Sequence, residues 1–284
     1  MRSHILVLLL SVLAAACGGK DSNQKAKRTT RISMEQIRAV LANQFFTCAG
    51  ISGAGCPEGL ARLLIIDRKD PDRSGVCSGF LVSADTLVTN QHCVPSGAVC
   101  DQTYVAVYAG GGYQEARCLS LTQTLNDFDD PNDPRKVLDV AIMKITPVFT
   151  GRNFVPAVAD ALPGDPVTAW VIDHTGLDRS SPNLLESRVT EFRCRVAPSG
   201  GWSAMIVDEC PIIKGNSGSP LVDDRGEVVG IVWGGSAHTV RSDLSLFARR
   251  RLEAIGAATP ISRFRQYLRG PLRSDSFRVE DFED

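Results

Sequence analysis

The sequence predicts an all-β chain, and three observations carry that expectation. From Leu60 onward short apolar or alternating segments recur, turn residues separate them, and no long helical pattern lies between one segment and the next. Leu63–Ile66, Gly79–Val82, Thr86–Thr89 and Thr103–Tyr108 read as strands. So do Val140–Ile145, Val167–Ile172, Ser187–Val196, Ala204–Val207 and Val228–Val232. Asp-Pro, Ser-Gly and Asp-Arg-Gly sequences punctuate them, where the backbone must reverse. The 284 residues suffice for one or two sizeable cores.

The two ends read differently. Arg2 and His4 precede an apolar run, Ile5 to Leu10, that continues through Leu13 into Ala14-Ala15-Ala16. It is too short for a permanent membrane anchor and fits a cleavable export signal over residues 1–16. Leu13-Ala14-Ala15-Ala16-Cys17 resembles a bacterial lipobox, which makes Cys17 the lipidated first residue of an envelope-anchored protein. Ordinary cleavage after Ala16, giving a secreted protein, is the alternative. Lys20 to Thr30 is polar, basic and without aromatics, so residues 17–32 read as anchor cysteine and tether. Ser33 then caps a short helix with Gln36 at the capping-box position and Met34, Ile37, Leu41 and Phe45 on one face. Gly- and Cys-rich residues 47–59 end that pattern, closing a lead-in over 33–59. Near the other end, Ile261, Phe264 and Leu268 are spaced for one helix that packs back on the body, and 271–284 is a polar tail.

Charge and cysteines narrow the function classes. With 31 Lys+Arg against 32 Asp+Glu the net charge is −1, so the basic excess of a nucleic-acid-binding domain is missing. Contact with a membrane is expected only through the N-terminal lipid, and a monomer is the default. Setting Cys17 aside leaves eight of the nine cysteines, an even set that reads as a disulfide framework in an exported chain. No Cys-x-x-Cys cluster or His pair offers a zinc site. Asp127, Asp129, Asp130, Asn132 and Asp133 crowd one loop but lack the glycine and closing glutamate of an EF-hand, so they read as a solvated acidic loop. His174 and His238 read as surface histidines. No metal or organic cofactor is expected.

Three segments carry chemistry. His92 lies in Thr89-Asn90-Gln91-His92-Cys93 directly after a predicted strand, and Asp139 opens the apolar strand Asp139-Val140-Ala141-Ile142-Met143-Lys144-Ile145. Ser217 lies in Lys214-Gly215-Asn216-Ser217-Gly218-Ser219-Pro220, a glycine-flanked turn before another strand-like segment. A serine hydroxyl is a weak nucleophile until an imidazole takes its proton. The imidazole in turn needs an anion to fix its tautomer and stabilise its cationic form, which Asp139 supplies. Glycines beside Ser217 allow a tight backbone whose N–H groups, those of Gly215 and Ser217, face a forming oxyanion.

These residues resemble the chymotrypsin-like (trypsin-like) serine proteases over about residues 60–268. The order His, Asp, Ser is that family's and differs from subtilisins and α/β-hydrolases. The resemblance implies two six-stranded antiparallel β-barrels, here residues 60–155 and 156–270, with the active site in the cleft between them. It implies catalytic roles for His92, Asp139 and Ser217 on polypeptide substrates, and a Cys77–Cys93 disulfide. Nearest-neighbour pairing adds Cys100–Cys118, Cys194–Cys210 and Cys48–Cys56. Where the family has an aspartate that pairs with a new N-terminal ammonium, this chain has Asn216, so activation by a freed N-terminus is not expected. Gly215-Asn216-Ser217-Gly218-Ser219-Pro220 and Thr89-Asn90-x-His92 look instead like the bacterial branch that includes the glutamyl endopeptidases. Val232 replaces the histidine of glutamyl-specific enzymes, and Pro211 stands where Arg/Lys-specific ones carry Asp. Pro211, Ile212, Val232, Trp233, Gly234 and Gly235 therefore describe a pocket of little charge, suited to a small or apolar side chain. A catalytically silent, anchored binding or scaffold module on the same fold is the alternative function, and an esterase would use the same three residues.

Overall fold

The computed structural model describes residues 45–49, 56–66, 74–126, 138–173, 186–198, 204–213, 215–235 and 255–268. The signal, Cys17, the tether, the acidic loop, His174, His238 and the tail lie outside them. So does the helix expected from Ser33, except for Phe45, which opens a strand.

Six strands close the first barrel in the order β2-β3-β4-β7-β6-β5. They are β2 (Leu60–Ile66), β3 (Ser74–Ser83), β4 (Thr86–Thr89), β5 (Thr103–Ala109), β6 (Gly112–Asn126) and β7 (Asp139–Ile145). A second closed ring runs through β9 (Pro166–Asp173), β10 (Glu186–Ala197), β11 (Met205–Asp208), β14 (Gly256–Pro260), β13 (Glu227–Gly235) and β12 (Pro220–Val222), and all its pairings are antiparallel. Two short strands lie on it in parallel, β1 (Phe45–Ala49) on β10 and β8 (Val155–Pro156) on β13. The structure is thus nearly all-β, with two six-stranded antiparallel barrels. The expected C-terminal helix is a 3₁₀ turn, Ile261–Arg263, followed by one α-helical turn, Arg265–Leu268. Ile261 and Phe264 are fully buried and Leu268 packs on the same core.

Alternation along each strand assigns its two faces. Leu87 and Met143 point into the first barrel, with Leu63, Val105 and Ile145. Their neighbours Val88 and Ile142 point outward, joining Leu60 and Phe80 in one core that continues into the second barrel. Each such side chain taken fully out of water contributes roughly 1.5–3 kcal/mol, and the shared core couples the barrels. Phe154, in the connection between them, meets Phe80 edge to face at 5.6 Å. Disulfides Cys77–Cys93, Cys100–Cys118 and Cys194–Cys210 staple segments 16, 18 and 16 residues apart. Cys56 is disulfide-bonded as well.

The serine loop is seated on the first barrel by backbone contact. The Ser78 N–H donates to the Ser217 carbonyl at 2.7 Å, and Ser78 Oγ donates to the Gly215 carbonyl at 3.2 Å. Gly218, with φ of +91°, lies so close that a Cβ there would sit 1.9 Å from the Ser78 carbonyl oxygen and 2.5 Å from Thr89 Oγ1. Only glycine satisfies both the left-handed backbone and that approach.

Two outcomes follow from this architecture. Gly218→Ala should lower stability by roughly 3 kcal/mol or more, since the overlap is with backbone and the conformation is strained; thermal unfolding against a surface Gly→Ala control measures it. At the far end of the strands, hydrogen bonds from Lys144 hold the Asp85 carboxyl down to about 2, from an ordinary 3.8. A depressed folded-state value stabilises above the ordinary value, and that stabilisation is lost as pH falls from about 4 towards about 2. Asp85→Asn should flatten this part of the midpoint-versus-pH curve and lower the neutral-pH midpoint by the same modest amount, kept small because both side chains of the pair are about two fifths exposed and screened by solvent.

Candidate active site

His92 and Asp139 are brought together by two neighbouring strands. β4 ends at Thr89, and a 3₁₀ turn, Gln91–Cys93, follows at once; β7, paired with β4, begins at Asp139. His92 Nδ1 meets Asp139 Oδ2 at 2.5 Å, and the His92 backbone N–H donates to Asp139 Oδ1 at 2.9 Å. Both carboxylate oxygens are therefore occupied by one residue. Asp139 is buried, with 1% of its side chain exposed against 47% for His92. The carboxylate is held in a fixed direction while about half of the imidazole side chain stays open to solvent. Asn90 Nδ2 donates to the Asp139 carbonyl at 2.7 Å and Thr89 Oγ1 donates to the Ser78 carbonyl at 2.6 Å. These two buried side chains tie the His turn to β7 and to β3. The Cys77–Cys93 bond adds a covalent link, since Cys77 adjoins Ser78 and Cys93 adjoins His92. A ring nitrogen of His92 lies within 4.8 Å of both sulfurs, but sulfurs joined in a disulfide cannot act as thiolate ligands.

Ser217 is reached through the same seam. Its carbonyl is bonded to Ser78, one residue from that disulfide. Its hydroxyl donates to the Trp233 carbonyl at 3.4 Å and makes no hydrogen bond to His92 among the described residues. Bonds of this kind are often loose before substrate binds. Around it the loop's amides are committed: Asn216 N–H to Ile213, Gly218 N–H to Val232 and Ser219 N–H to Asn216. The Ser217 N–H has no partner among the described residues. Gly215, predicted as the second donor, is buried with φ of +99°.

The expected pocket residues divide into two groups. Val232 is fully buried, and its backbone bonds with Gly218 and Ser219 steady the serine loop. Trp233 falls at a register shift between Val232 and Gly234, so its carbonyl is available to Ser217. Pro211 is exposed. Ile212 is buried and packs between Gly235 and Gly256. A Cβ on Gly235 would lie 2.4 Å from the Ile212 carbonyl oxygen, and one on Gly256 would lie 2.8 Å from Ile212 Cγ1. Sequence reading missed the roles of Ser78, Thr89, Asn90 and Gly256. For the first three, a polar residue beside a motif in an otherwise apolar strand was the available signal.

Comparison with known proteins bears on the fold and the family. The chain is 30% identical over 155 residues to a probable periplasmic serine endoprotease, DegP-like, of Brucella suis, covering 54% of this chain and 26% of that protein. It is 26% identical over 189 residues to serine protease Rv3671c of Mycobacterium tuberculosis, covering 65% and 43% respectively. It therefore spans about a quarter to two fifths of these relatives' lengths. Among solved structures, HL collagenase superposes with a TM-score of 0.51 at 17% identity, covering 74% of this chain and 91% of that one. A scabies mite inactivated protease paralogue gives 0.51 at 14%, covering 73% and 89%; at such identities the likeness shows the fold alone. Residues 77–231, more than half of the chain, match the family described as trypsin-like peptidase domain, and the chain belongs to that family.

Proposed function

We propose that this protein is an exported serine endopeptidase in which Ser217 is the nucleophile, His92 the general base and Asp139 the group that orients the imidazole. The observation that carries the reading is the His92–Asp139 pair at 2.5 Å, with its anion buried, on the seam where the serine loop is seated. Substrate binding turns the Ser217 hydroxyl from the Trp233 carbonyl to His92. The oxygen then bonds to the scissile carbonyl carbon as its proton passes to the imidazole, and the charge on the carbonyl oxygen meets the Ser217 N–H with that of Gly215. The imidazolium returns the proton to the departing amine, leaving an acyl-enzyme that water hydrolyses by the same route.

Ile212 supports a shallow, uncharged primary pocket and hence a small side chain, such as alanine, before the scissile bond. Nothing charged replaces it: Pro211 and Val232 are neutral, which favours neither Arg/Lys nor Glu. The disulfides support an oxidising compartment, as does the periplasmic name of the Brucella relative. Lipidation at Cys17 is the means of anchoring we favour over free secretion.

A fluorophosphonate should label the mature protein covalently, and Ser217→Ala should abolish both labelling and peptide turnover. The second reading, a silent binding module, draws on the Ser217–Trp233 bond; tight partner binding unaffected by Ser217→Ala, with no hydrolysis of any peptide library, would favour it. Ile212→Ala should raise kcat/KM for leucine or phenylalanine before the scissile bond by about 10-fold or more relative to alanine. Unchanged relative preferences in a folded variant would remove Ile212 from the pocket.

A further inference from the structure

We infer that Asn216 is a positioning residue whose neutral amide holds the serine loop in its working shape. The inference rests on the endopeptidase reading and adds to it the device that keeps the site assembled. Asn216 is 1% exposed, and both ends of its amide are engaged. Oδ1 accepts from the Ile213 N–H at 3.0 Å and Nδ2 donates to the Ile172 carbonyl at 3.1 Å. Its own N–H donates to the Ile213 carbonyl at 3.1 Å, and its carbonyl accepts from the Ser219 N–H at 3.0 Å. One side chain thus ties together the segment before the nucleophile, the turn containing it and strand β9.

The partner on β9 explains why an amide is required. β12 begins only at Pro220 and pairs with β9 at Ala169 and Thr168, so it has not yet begun opposite Ile172. The Asn216 amide donates to the Ile172 carbonyl in the place of a strand N–H. A carboxylate at this position would still accept from Ile213 but would turn a second negative oxygen towards the Ile172 carbonyl, inside a dry site where that repulsion is large. An aspartate here needs a cation to neutralise it. Asparagine needs none, because one donor and one acceptor match the two backbone groups in this orientation only. The same bonds hold Gly215 at its positive φ and leave the Ser217 N–H open.

The test uses the full mature chain and the variants Asn216→Ala and Asn216→Asp. Both should lower kcat, and the rate of fluorophosphonate labelling, by about 100-fold, the scale of losing one oxyanion donor. KM should stay within about threefold, a separation that general destabilisation does not produce. Amide hydrogen exchange read at Ile213 supplies an arm independent of catalysis: protection there should fall in Asn216→Ala while β5 and β7 keep theirs. Wild-type kcat in a folded Asn216→Asp, or unchanged Ile213 protection in Asn216→Ala, would each overturn the inference. A wild-type protein that never labels overturns the endopeptidase reading instead, and the exchange arm still decides what Asn216 holds.

Discussion

The carbonyl of Ser78 and the backbone of Gly218 touch with no room for a methyl group between them, and the site is organised around that contact. β3 belongs to the first barrel and the serine loop to the second, so this is the place where two independently closed sheets must fix their mutual position within a few tenths of an ångström. Hydrophobic packing alone does not set position so finely, because apolar burial depends on area and carries little directional information. Backbone hydrogen bonds do: Ser78 N–H to the Ser217 carbonyl supplies the direction, and the glycine permits the approach. The shared core of Phe80, Val88 and Ile142 then supplies the driving force.

Charge is concentrated on one side of that contact. Asp139 is the buried anion of the seam, and both its oxygens are directed at His92. On the nucleophile's side, Asn216 and the backbone groups it meets are all neutral. Arg62, paired across β2 with Ser78, is a buried cation whose guanidinium burial pushes down to about 10, so it remains protonated at neutral pH. Among the described residues no ion pair lies at the loop itself, where Asn216 stands in place of a charged side chain.

Much of this was legible in the sequence, because the elements concerned obey simple periodicities. β4 and β7 are short, apolar and bounded by polar residues, and each was expected within one residue of its observed ends. β6 was not expected. Its alternation is interrupted by register shifts at Cys118/Ser120 and Leu121/Gln123, and its outer face carries Glu115, Arg117 and Ser120. β14, Gly256-Ala257-Ala258-Thr259-Pro260, lacks large apolar residues because small ones are needed beside Ile212 and Val207. Its strand character comes from β11 and β13 on either side, which no local pattern records. His92, Asp139 and Ser217 stand out in the sequence because each sits beside a strand end in a distinctive motif. Ser78, Thr89 and Asn90 act through contacts 11 to 139 residues away in sequence (137 from Ser78 to Gly215, 11 from Thr89 to Ser78, 49 from Asn90 to Asp139), and only folding reveals those partners.

The segment from Cys210 to Ile213 joins the proposed pocket wall to the serine loop. Cys210 is fixed by its disulfide to Cys194, and its carbonyl accepts from the Ile212 N–H at 2.7 Å, a tight turn about Pro211. The Ile212 side chain then occupies the space between Gly235 and Gly256, and the next amide, Ile213, is the one Asn216 holds. On the proposed reading, in which Ile212 walls the primary pocket, a substrate side chain that pushes against Ile212 also pushes on the anchor of the loop that presents Ser217. Ile212 adjoins Ile213, whose N–H bonds to the Asn216 side chain, and Asn216 adjoins Ser217, so on that reading a poorly fitting side chain displaces the reacting groups as well as binding weakly. Selectivity would then be expressed in kcat as much as in KM, and an enlarged pocket would retain full reactivity only when the Asn216–Ile213 bond survives the change.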